Sequence, residues 1–453
     1  MKKVIPLMLS FVIFAAVCKA APVDLSSIEV LDLHTAQRIA LADNPSLGAA
    51  AERVEQALQR IAQARSLYLP RVDFDGGAGW SRISESIALN QQQGGISLDR
   101  NQERYQLSLA ANWLIFDGFS RKYKNMIAQY GSEESEQARR DGQRILLQAV
   151  SEGYYTSHLS LYSTKIARAD IAFNQQQLQE AEIRYEQGAG SLSSVLNFKV
   201  QINKAQTTLL TAERDYEIGL YGLAVLLGRQ EASLPADIKL AELAMLEQND
   251  FYSFVIKDLL SIAGQYRPDL LRQELRLQRS EAEIGEAKSP FYPTVGLLGS
   301  LNGERSEDYY LDEDDFGSTI GLSFSYNLYR GGGDEARVVE SRAARREALR
   351  TLEQQKNQVK GEVRQAYANL QLAQKQLILQ QSTTELVLQT RDLVRDGYNA
   401  GQESLVRLNE AQRDLVRTQS NLALALVGLY STRYRLTTVT GESLQPFYPE
   451  AFK

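Results

Sequence analysis

GFSRKYKNMIAQYGSEESEQARRDGQRILLQAVSEGYYTSHLSLYSTKIARADIAFNQQQLQEAEIRYEQG, residues 118–188, places 69 residues (119 to 187) between two glycines without a proline. A second proline-free run of the same length, 332 to 400, lies between Gly331 and Gly401. Helical throughout, each run extends roughly 100 Å at about 1.5 Å per residue. That is several times the length of an ordinary globular helix, and the runs are too polar to lie in lipid. Two rods of equal length point to a protein that spans a distance.

The surroundings of the rods repeat as well. Pro45 and Pro268 are 223 residues apart, as are Pro70 and Pro293. Gly118 and Gly331, Gly188 and Gly401, and Gly228 and Gly441 are each 213 apart. The offset changes only between Pro70 and Gly118, so the first hairpin is ten residues longer, which a loop tip tolerates. The first repeat covers 21–228 and the second 253–441, joined by an irregular linker, 229–252, that contains Leu234-Pro235. A tail, 442–453, follows.

Within the first repeat a short helix opens at Asp32-Leu33-His34-Thr35 and runs through Ala42, with Thr35 as its expected cap. Asn44-Pro45 ends it and starts a helix over 45–68, which stops before Leu69-Pro70. The period then switches to two. Val72, Phe74, Gly76, Ala78 and Trp80 oppose Asp73, Asp75, Gly77 and Gly79, giving a strand over 71–86. A glutamine-rich loop, 88–101, precedes a strand over 102–116, in which Leu107, Leu109, Ala111, Trp113 and Ile115 oppose Ser108, Ala110 and Asn112. Beyond the first rod, Gly188-Ala189-Gly190 breaks the helix and another runs over 191–226. The second repeat gives a helix over 253–266, strands over 294–304 and 317–329, and the same parity, with Ile320, Leu322, Phe324, Tyr326 and Leu328 on one face.

Strands of about 9–11 residues suffice to cross a bilayer at a tilt. In a soluble sandwich the apolar face would cover a core. Two hairpins cannot make a sandwich around rods of this length, so the alternation is expected to place Phe74, Trp80, Leu109, Trp113, Leu322, Phe324 and Tyr326 against lipid, with the polar face lining water. Four strands cannot close a barrel, and an open edge in lipid leaves unpaired backbone groups costing several kcal/mol each. An oligomer sharing one barrel is therefore expected. The segment 306–316, with Glu307, Asp308, Asp312, Glu313, Asp314 and Asp315, is too acidic for lipid and belongs outside.

The N-terminus fits export. Lys2 and Lys3, the apolar run 4–17 and small residues after it form a signal peptide over 1–20, with Cys18 and Ala20 at the small-residue positions for cleavage after Ala20. Cys18, the single cysteine, also follows Ala15-Ala16-Val17 in the manner of a lipidation site, where Val17 fits poorly. After the signal no run of about 18 apolar residues occurs, so no transmembrane helix is expected. A net charge of −6 argues against a broad phosphate-binding surface and hence nucleic acid.

The duplicated order of helix, proline, hairpin, glycine, long helix, glycine turn and helix resembles the TolC family of outer-membrane efflux proteins. The matching stretches are Ala40-Leu41-Ala42-Asp43-Asn44-Pro45-Ser46-Leu47, Arg267-Pro268-Asp269-Leu270, Tyr185-Glu186-Gln187-Gly188 and Tyr398-Asn399-Ala400-Gly401. The resemblance covers about residue 30 to Gly441. It implies a mainly α fold with a β-barrel part: a homotrimer whose four strands per chain close one twelve-stranded transmembrane barrel, continued by an α-helical periplasmic tunnel, with 229–252 in an equatorial belt. It implies an outer-membrane channel that exports drugs, metals, small solutes or proteins, by efflux or type I secretion, with a periplasmic adaptor and an inner-membrane transporter. The residues expected to meet the adaptor are Gln187, Gly188, Ala189, Gly190 and Ser191, and Ala400, Gly401, Gln402, Glu403 and Ser404.

Some members of the family carry two acidic residues just past the second tip, ringing the narrowest point of the pore. Here Arg407 and Glu410 occupy those positions, Glu403 stands where a basic gating residue can occur, and Ser194 is the first-repeat match. Arg407 and Glu410, with Ser194 and Tyr398, either line a constriction or, for the charged pair, form a surface ion pair three residues apart on a helix. The repeat-equivalent Tyr154 and Tyr367 are expected to pack between helices.

Enzyme signals are absent. The two histidines, His34 and His158, have no metal-ligand spacing around them, and Gly188-Ala189-Gly190 lacks the third glycine and preceding strand of a dinucleotide loop. No catalytic residue, cofactor or metal is expected. The rival from another class is a secreted trimeric coiled-coil stalk or adhesin, which would explain the rods but neither the strand alternation nor the repeated hairpins.

Overall fold

The computed structural model describes residues 28–82, 84–86, 101–235, 237–246, 251, 253–306 and 309–452. The expected signal with Cys18, positions 88–100 of the glutamine-rich loop, and Glu307 and Asp308 lie outside the described residues. The chain divides into two compact units. Among the described residues, the strand-bearing unit falls within 47–144, 253–368 and 436–452, and the tip-bearing unit within 28–46, 145–251 and 369–435.

In chain order the elements are β1 (Val30–Leu31), α1 (Leu33–Asp43), α2 (Pro45–Ser66), β2 (Arg71–Arg82), β3 (Asn101–Asp117), α3 (Ser120–Glu186), α4 (Leu192–Leu226), β4 (Lys239–Leu240), α5 (Ile256–Tyr266), α6 (Pro268–Ala287), β5 (Thr294–Ser306), β6 (Phe316–Ser325), α7 (Gly333–Asn399) and α8 (Leu405–Thr440). The two rods, α3 and α7, are 67 residues each. Both expected spans were long by one residue at each end. α1 is capped by Asp32, whose carboxylate accepts from the Thr35 N–H at 2.6 Å; Thr35 sits inside the first turn rather than at its cap.

β2, β3, β5 and β6 form one antiparallel sheet in that order. Directly opposed residues share a face, so the pairs Phe74–Leu109, Trp113–Leu297 and Leu297–Leu322 run one apolar face across all four strands. Three strand expectations need correction. The first strand ends at Arg82 rather than 86: its last partner is Asn101, and Ser84 to Ser86 have left the ladder. A bulge lies between Leu114 and Phe116, so Phe116 pairs with Val295 and takes the apolar-face position expected of Ile115. β6 ends at Ser325 rather than 329, because its last partner is Thr294 and the residue before that, Pro293, has no N–H to extend the ladder. Tyr326 and Leu328 are therefore exposed beyond the strand.

In the strand-bearing unit α6 is tied to α3 by Arg279–Glu134 (3.0 Å) and to α7 by Arg345–Glu281 (2.8 Å) and Lys356–Glu274 (2.9 Å). In the tip-bearing unit the linker holds something the sequence did not announce: β1 and β4 pair in parallel, Val30 with Lys239 and Leu31 with Leu240. Tyr154 fixes this pairing, its hydroxyl donating to Leu31 O at 3.1 Å, and Tyr367 donates to the repeat-equivalent Phe254 O at 3.2 Å. Both tyrosines are thus packing residues that bond to backbone carbonyls.

The repeats solve the same joint with different chemistry. Asn44 Nδ2 donates to Leu226 O at 2.9 Å; at the equivalent joint Arg267 Nη1 donates to Val439 O at 3.2 Å. Arg267 is 2 % exposed, and its guanidinium demands more partners than an amide. It finds them in Asp269, gripped through Nε and Nη2 at 2.9 and 2.6 Å, and in Glu362 at 2.6 Å. Burial is the largest single influence on the Asp269 carboxyl and raises its pKa, but the Arg267 ion pair, with Arg144 and the Gln355 amide, outweighs it and holds the group below its ordinary value.

Candidate functional site

The tip-bearing unit carries one turn twice. α3 is followed by Gly188 at φ 75° and α7 by Gly401 at φ 77°. Ala189 N–H donates to Arg184 O (2.9 Å) and Gly188 N–H to Tyr185 O (3.0 Å); Gln402 N–H donates to Gly397 O (2.8 Å) and Gly401 N–H to Tyr398 O (3.1 Å). These are the two crossed bonds of a Schellman motif, which satisfy carbonyls that a helix end otherwise leaves open. A Cβ on either glycine would meet nothing within 4 Å, so the left-handed backbone alone selects glycine there. The next helices also start alike. Ser191 Oγ accepts from Ser194 N–H and Ser404 Oγ from Arg407 N–H, both at 3.2 Å.

Where the two turns differ, they differ in a compensating way. Arg184 faces Gly190 in the first; the equivalent positions in the second are Gly397 facing Glu403. One partner of each pair is glycine because a Cβ there would lie 3.0 Å from Arg184 Cβ or 2.9 Å from Glu403 Cγ. Freed by its glycine, Arg184 crosses to the second turn. Its Nη2 donates to Asn399 O (3.3 Å) and Oδ1 (3.0 Å), and its guanidinium lies 5.5 Å from the Tyr398 ring centre. A cation against the last carbonyls of α7 complements the helix dipole.

Behind the turns, Ala181, Val195, Phe198, Val394, Leu408 and Ala411 form a buried cluster, with Tyr398 packed on it. Further along the helices a polar relay joins three of them. Arg391 Nη1 donates to Gln412 Oε1 (3.0 Å), and Gln412 Nε2 donates to Asp170 Oδ1 (2.7 Å), which also accepts from Asn174 (3.0 Å). Burial raises the Asp170 carboxyl above its ordinary pKa, and the two amide donors offset part of that rise.

Gln187, Gly188, Ala189 and Ser191 are exposed, as are Ala400, Gly401, Gln402, Glu403 and Ser404, while Gly190 is half-buried. Arg407 and Glu410 pair at 3.7 Å on an exposed face of α8, and Ser194 and Tyr398 are half-buried. The sequence reading missed the Arg184 clasp and the Asp170 relay. Aligning the repeats places Arg184 opposite Gly397, a mismatch that marks the clasp; nothing in spacing links Asp170 to Gln412, 242 residues away.

In the strand-bearing unit the apolar sheet face is bare: Phe74, Leu322 and Phe324 are each 70 % exposed, Trp80, Leu109 and Trp113 are exposed too, and so is Tyr326 just past the end of β6. β2 and β6 pair on one side only among the described residues. At the joint with α3, Trp113 Nε1 donates to Tyr68 O (2.9 Å), and the buried Arg121 donates to Leu67 O, Leu114 O and Ile115 O while pairing with Asp117 at 3.2 Å. The second repeat reverses the charges: Arg330 pairs with Asp334 at 3.6 Å. Among the described residues no helix is long and apolar enough to cross a membrane, and no acid, histidine or cysteine cluster could hold a metal ion.

The profile of the outer membrane efflux protein family matches residues 37–229 and 259–442. The alkaline protease secretion protein AprF of Pseudomonas aeruginosa is 24% identical over 90% of this chain and 82% of its own length. The outer membrane protein TolC of Vibrio cholerae is 22% identical over 84% of each chain. Among solved structures, the CmeC outer membrane channel of Campylobacter jejuni superposes with a TM-score of 0.78 at 16% identity, covering 92% of this chain and 89% of that one.

Proposed function

The chain belongs to the outer membrane efflux protein family and is an export channel of the outer membrane, and on that premise we propose that three copies build one conduit, each lending four strands to a twelve-stranded barrel (3 × 4). This membership favours the channel over the secreted stalk. The observation that carries the trimeric reading is the sheet, whose bare apolar face is four strands wide and whose two edges are open. In lipid each unpaired edge group costs several kcal/mol. Pairing β6 of one copy with β2 of the next removes both edges, and Phe74, Trp80, Leu109, Trp113, Leu322, Phe324 and Tyr326 then meet hydrocarbon. The helices of the three chains continue the barrel as a periplasmic tunnel.

In this reading a periplasmic adaptor docks on residues 187–191 and 400–404 and connects the channel to an inner-membrane transporter, which chooses the cargo. Two Schellman turns held together by Arg184 make a preorganised, exposed surface, which supports docking without a large ordering cost. Ser194, Tyr398, Arg407 and Glu410 form the constriction. Its ring of mixed charge gives a weaker cation preference than two acidic rings. The chain acts as a duct and carries out no chemical step.

The test is outer-membrane fractionation of the full-length protein, unheated against heated gel migration, and single-channel recording in planar bilayers. A heat-modifiable trimer with stepwise conductance is expected. A soluble, non-conducting filament would refute the conduit.

A further inference from the structure

In the strand-bearing unit, the 3-10 turn Ser289–Phe291 and the first turns of α7 frame a groove of about 430 Å³. That lies within the range of about 300–1,000 Å³ typical of small-ligand sites. Phe291, Tyr292 and Val339 line it and are exposed, over the buried Val338. Three charged residues, Lys288, Arg342 and Glu335, line it as well. Neighbouring charges are paired: Arg337 with Glu286 at 3.5 Å, Arg345 with Glu281 at 2.8 Å and Arg330 with Asp334 at 3.6 Å. The three in the groove have no side-chain hydrogen bond or ion pair among the described residues.

We propose that this groove binds a phospholipid with a phosphoethanolamine headgroup, drawn from the periplasmic leaflet. Two unpaired cations fit a phosphodiester, and an unpaired carboxylate beside them fits the ammonium of the same headgroup. Glu335 would disfavour a plain anion, and Lys288 with Arg342 would disfavour a plain cation. The acyl chains have a surface to follow. Tyr292 is two residues before β5, whose Val295 and Leu297 begin the bare apolar face. The exposed aromatic pair suits the level where headgroups meet hydrocarbon. The inference rests on the reading that this sheet face meets lipid.

The test uses the full-length protein, delipidated in detergent and incubated with a defined mixture of phosphatidylethanolamine, phosphatidylglycerol and phosphatidylcholine of equal chain length. Retained lipid is counted by native mass spectrometry. Phosphatidylethanolamine should be retained over phosphatidylcholine, whose quaternary ammonium offers Glu335 no N–H donor. The double variant Lys288→Ala/Arg342→Ala should lower retention of phosphatidylethanolamine and phosphatidylglycerol at least roughly tenfold, the loss expected for a single charge-assisted bond. Lys288→Arg should keep it, and Glu335→Gln should erode the preference for phosphatidylethanolamine over phosphatidylglycerol. Equal retention by wild type and double variant, or a wild type that prefers phosphatidylglycerol or phosphatidylcholine, would overturn the proposal. Quenching of Trp80 and Trp113, the two tryptophans of the chain, by brominated lipid in vesicles checks the underlying reading separately. Absence of quenching removes the lipid-facing sheet and the groove with it; quenching with unchanged retention removes the groove alone.

Discussion

Arg407→Asp changes the charge of the proposed constriction while leaving the fold nearly untouched, and the structure shows why. Arg407 and Glu410 lie 3.7 Å apart with about half of each side chain exposed, 53% and 45%. At that distance in water two unit charges attract by about 1 kcal/mol. The entropy of holding both side chains reduces the net value to about 0.2–1 kcal/mol. Thermal unfolding should therefore move little. The local charge goes from zero (+1 − 1) to −2 per chain, hence −6 around three chains (3 × −2). Under a tenfold potassium chloride gradient an ideally cation-selective pore reverses at about 59 mV. The wild type, with its balanced ring, should reverse in the lower half of that range. Arg407→Asp should move the reversal toward the cation limit by on the order of 20 mV, and Glu410→Arg should move it the other way. A reversal potential unchanged by both substitutions, in channels of normal conductance, would refute the placement of these residues in the pore.

Three further outcomes follow from the structure. Gly188→Ala and Gly401→Ala should each destabilise by about 1–2 kcal/mol in thermal or denaturant unfolding, because the left-handed backbone is the whole cost and no atom obstructs the new methyl. The equivalent joints should respond unequally: Arg267→Ala removes the ion-pair partner of two carboxylates, one of them buried, and should cost about 3–5 kcal/mol, while Asn44→Ala removes a neutral bond to Leu226 O and the acceptor for Ser46 N–H at the start of α2, together worth about 1–2 kcal/mol. His158, 1 % exposed with Nε2 unpartnered, is pushed by burial down to about 4, so the unfolded chain takes up its proton first as pH falls. The His158 contribution should be full above about pH 6.5, decline by up to about 3 kcal/mol per chain on the way to pH 4, and level off below; His158→Phe should flatten the pH 4–6.5 slope in denaturation midpoints.

The sequence alone settled what local chemistry governs. Proline-free runs closed by glycines set the length of α3 and α7 to within a residue at each end, because helix propagation and a left-handed stop depend only on neighbours in the chain. Two-residue alternation set β2 and β3 and their bare face for the same reason. The repeated spacing then made the second half readable from the first. What the alternation could not reveal was the bulge that puts Phe116 rather than Ile115 on the apolar face, since a bulge exists only against a partner strand.

Tertiary structure decided whatever needed residues far apart to meet. The β1–β4 pairing joins segments more than 200 residues apart, and the Asp170–Gln412 bond spans 242. It also decided where duplicate positions took different roles. Asn44 and Arg267 occupy one joint with unequal demands for partners, and Arg184 clasps the second tip because its counterpart is Gly397. Charge counts could not show that Lys288, Glu335 and Arg342 go unpaired while their neighbours pair, because pairing depends on which helix faces which. Period and punctuation are properties of a chain; partnership is a property of the packed fold.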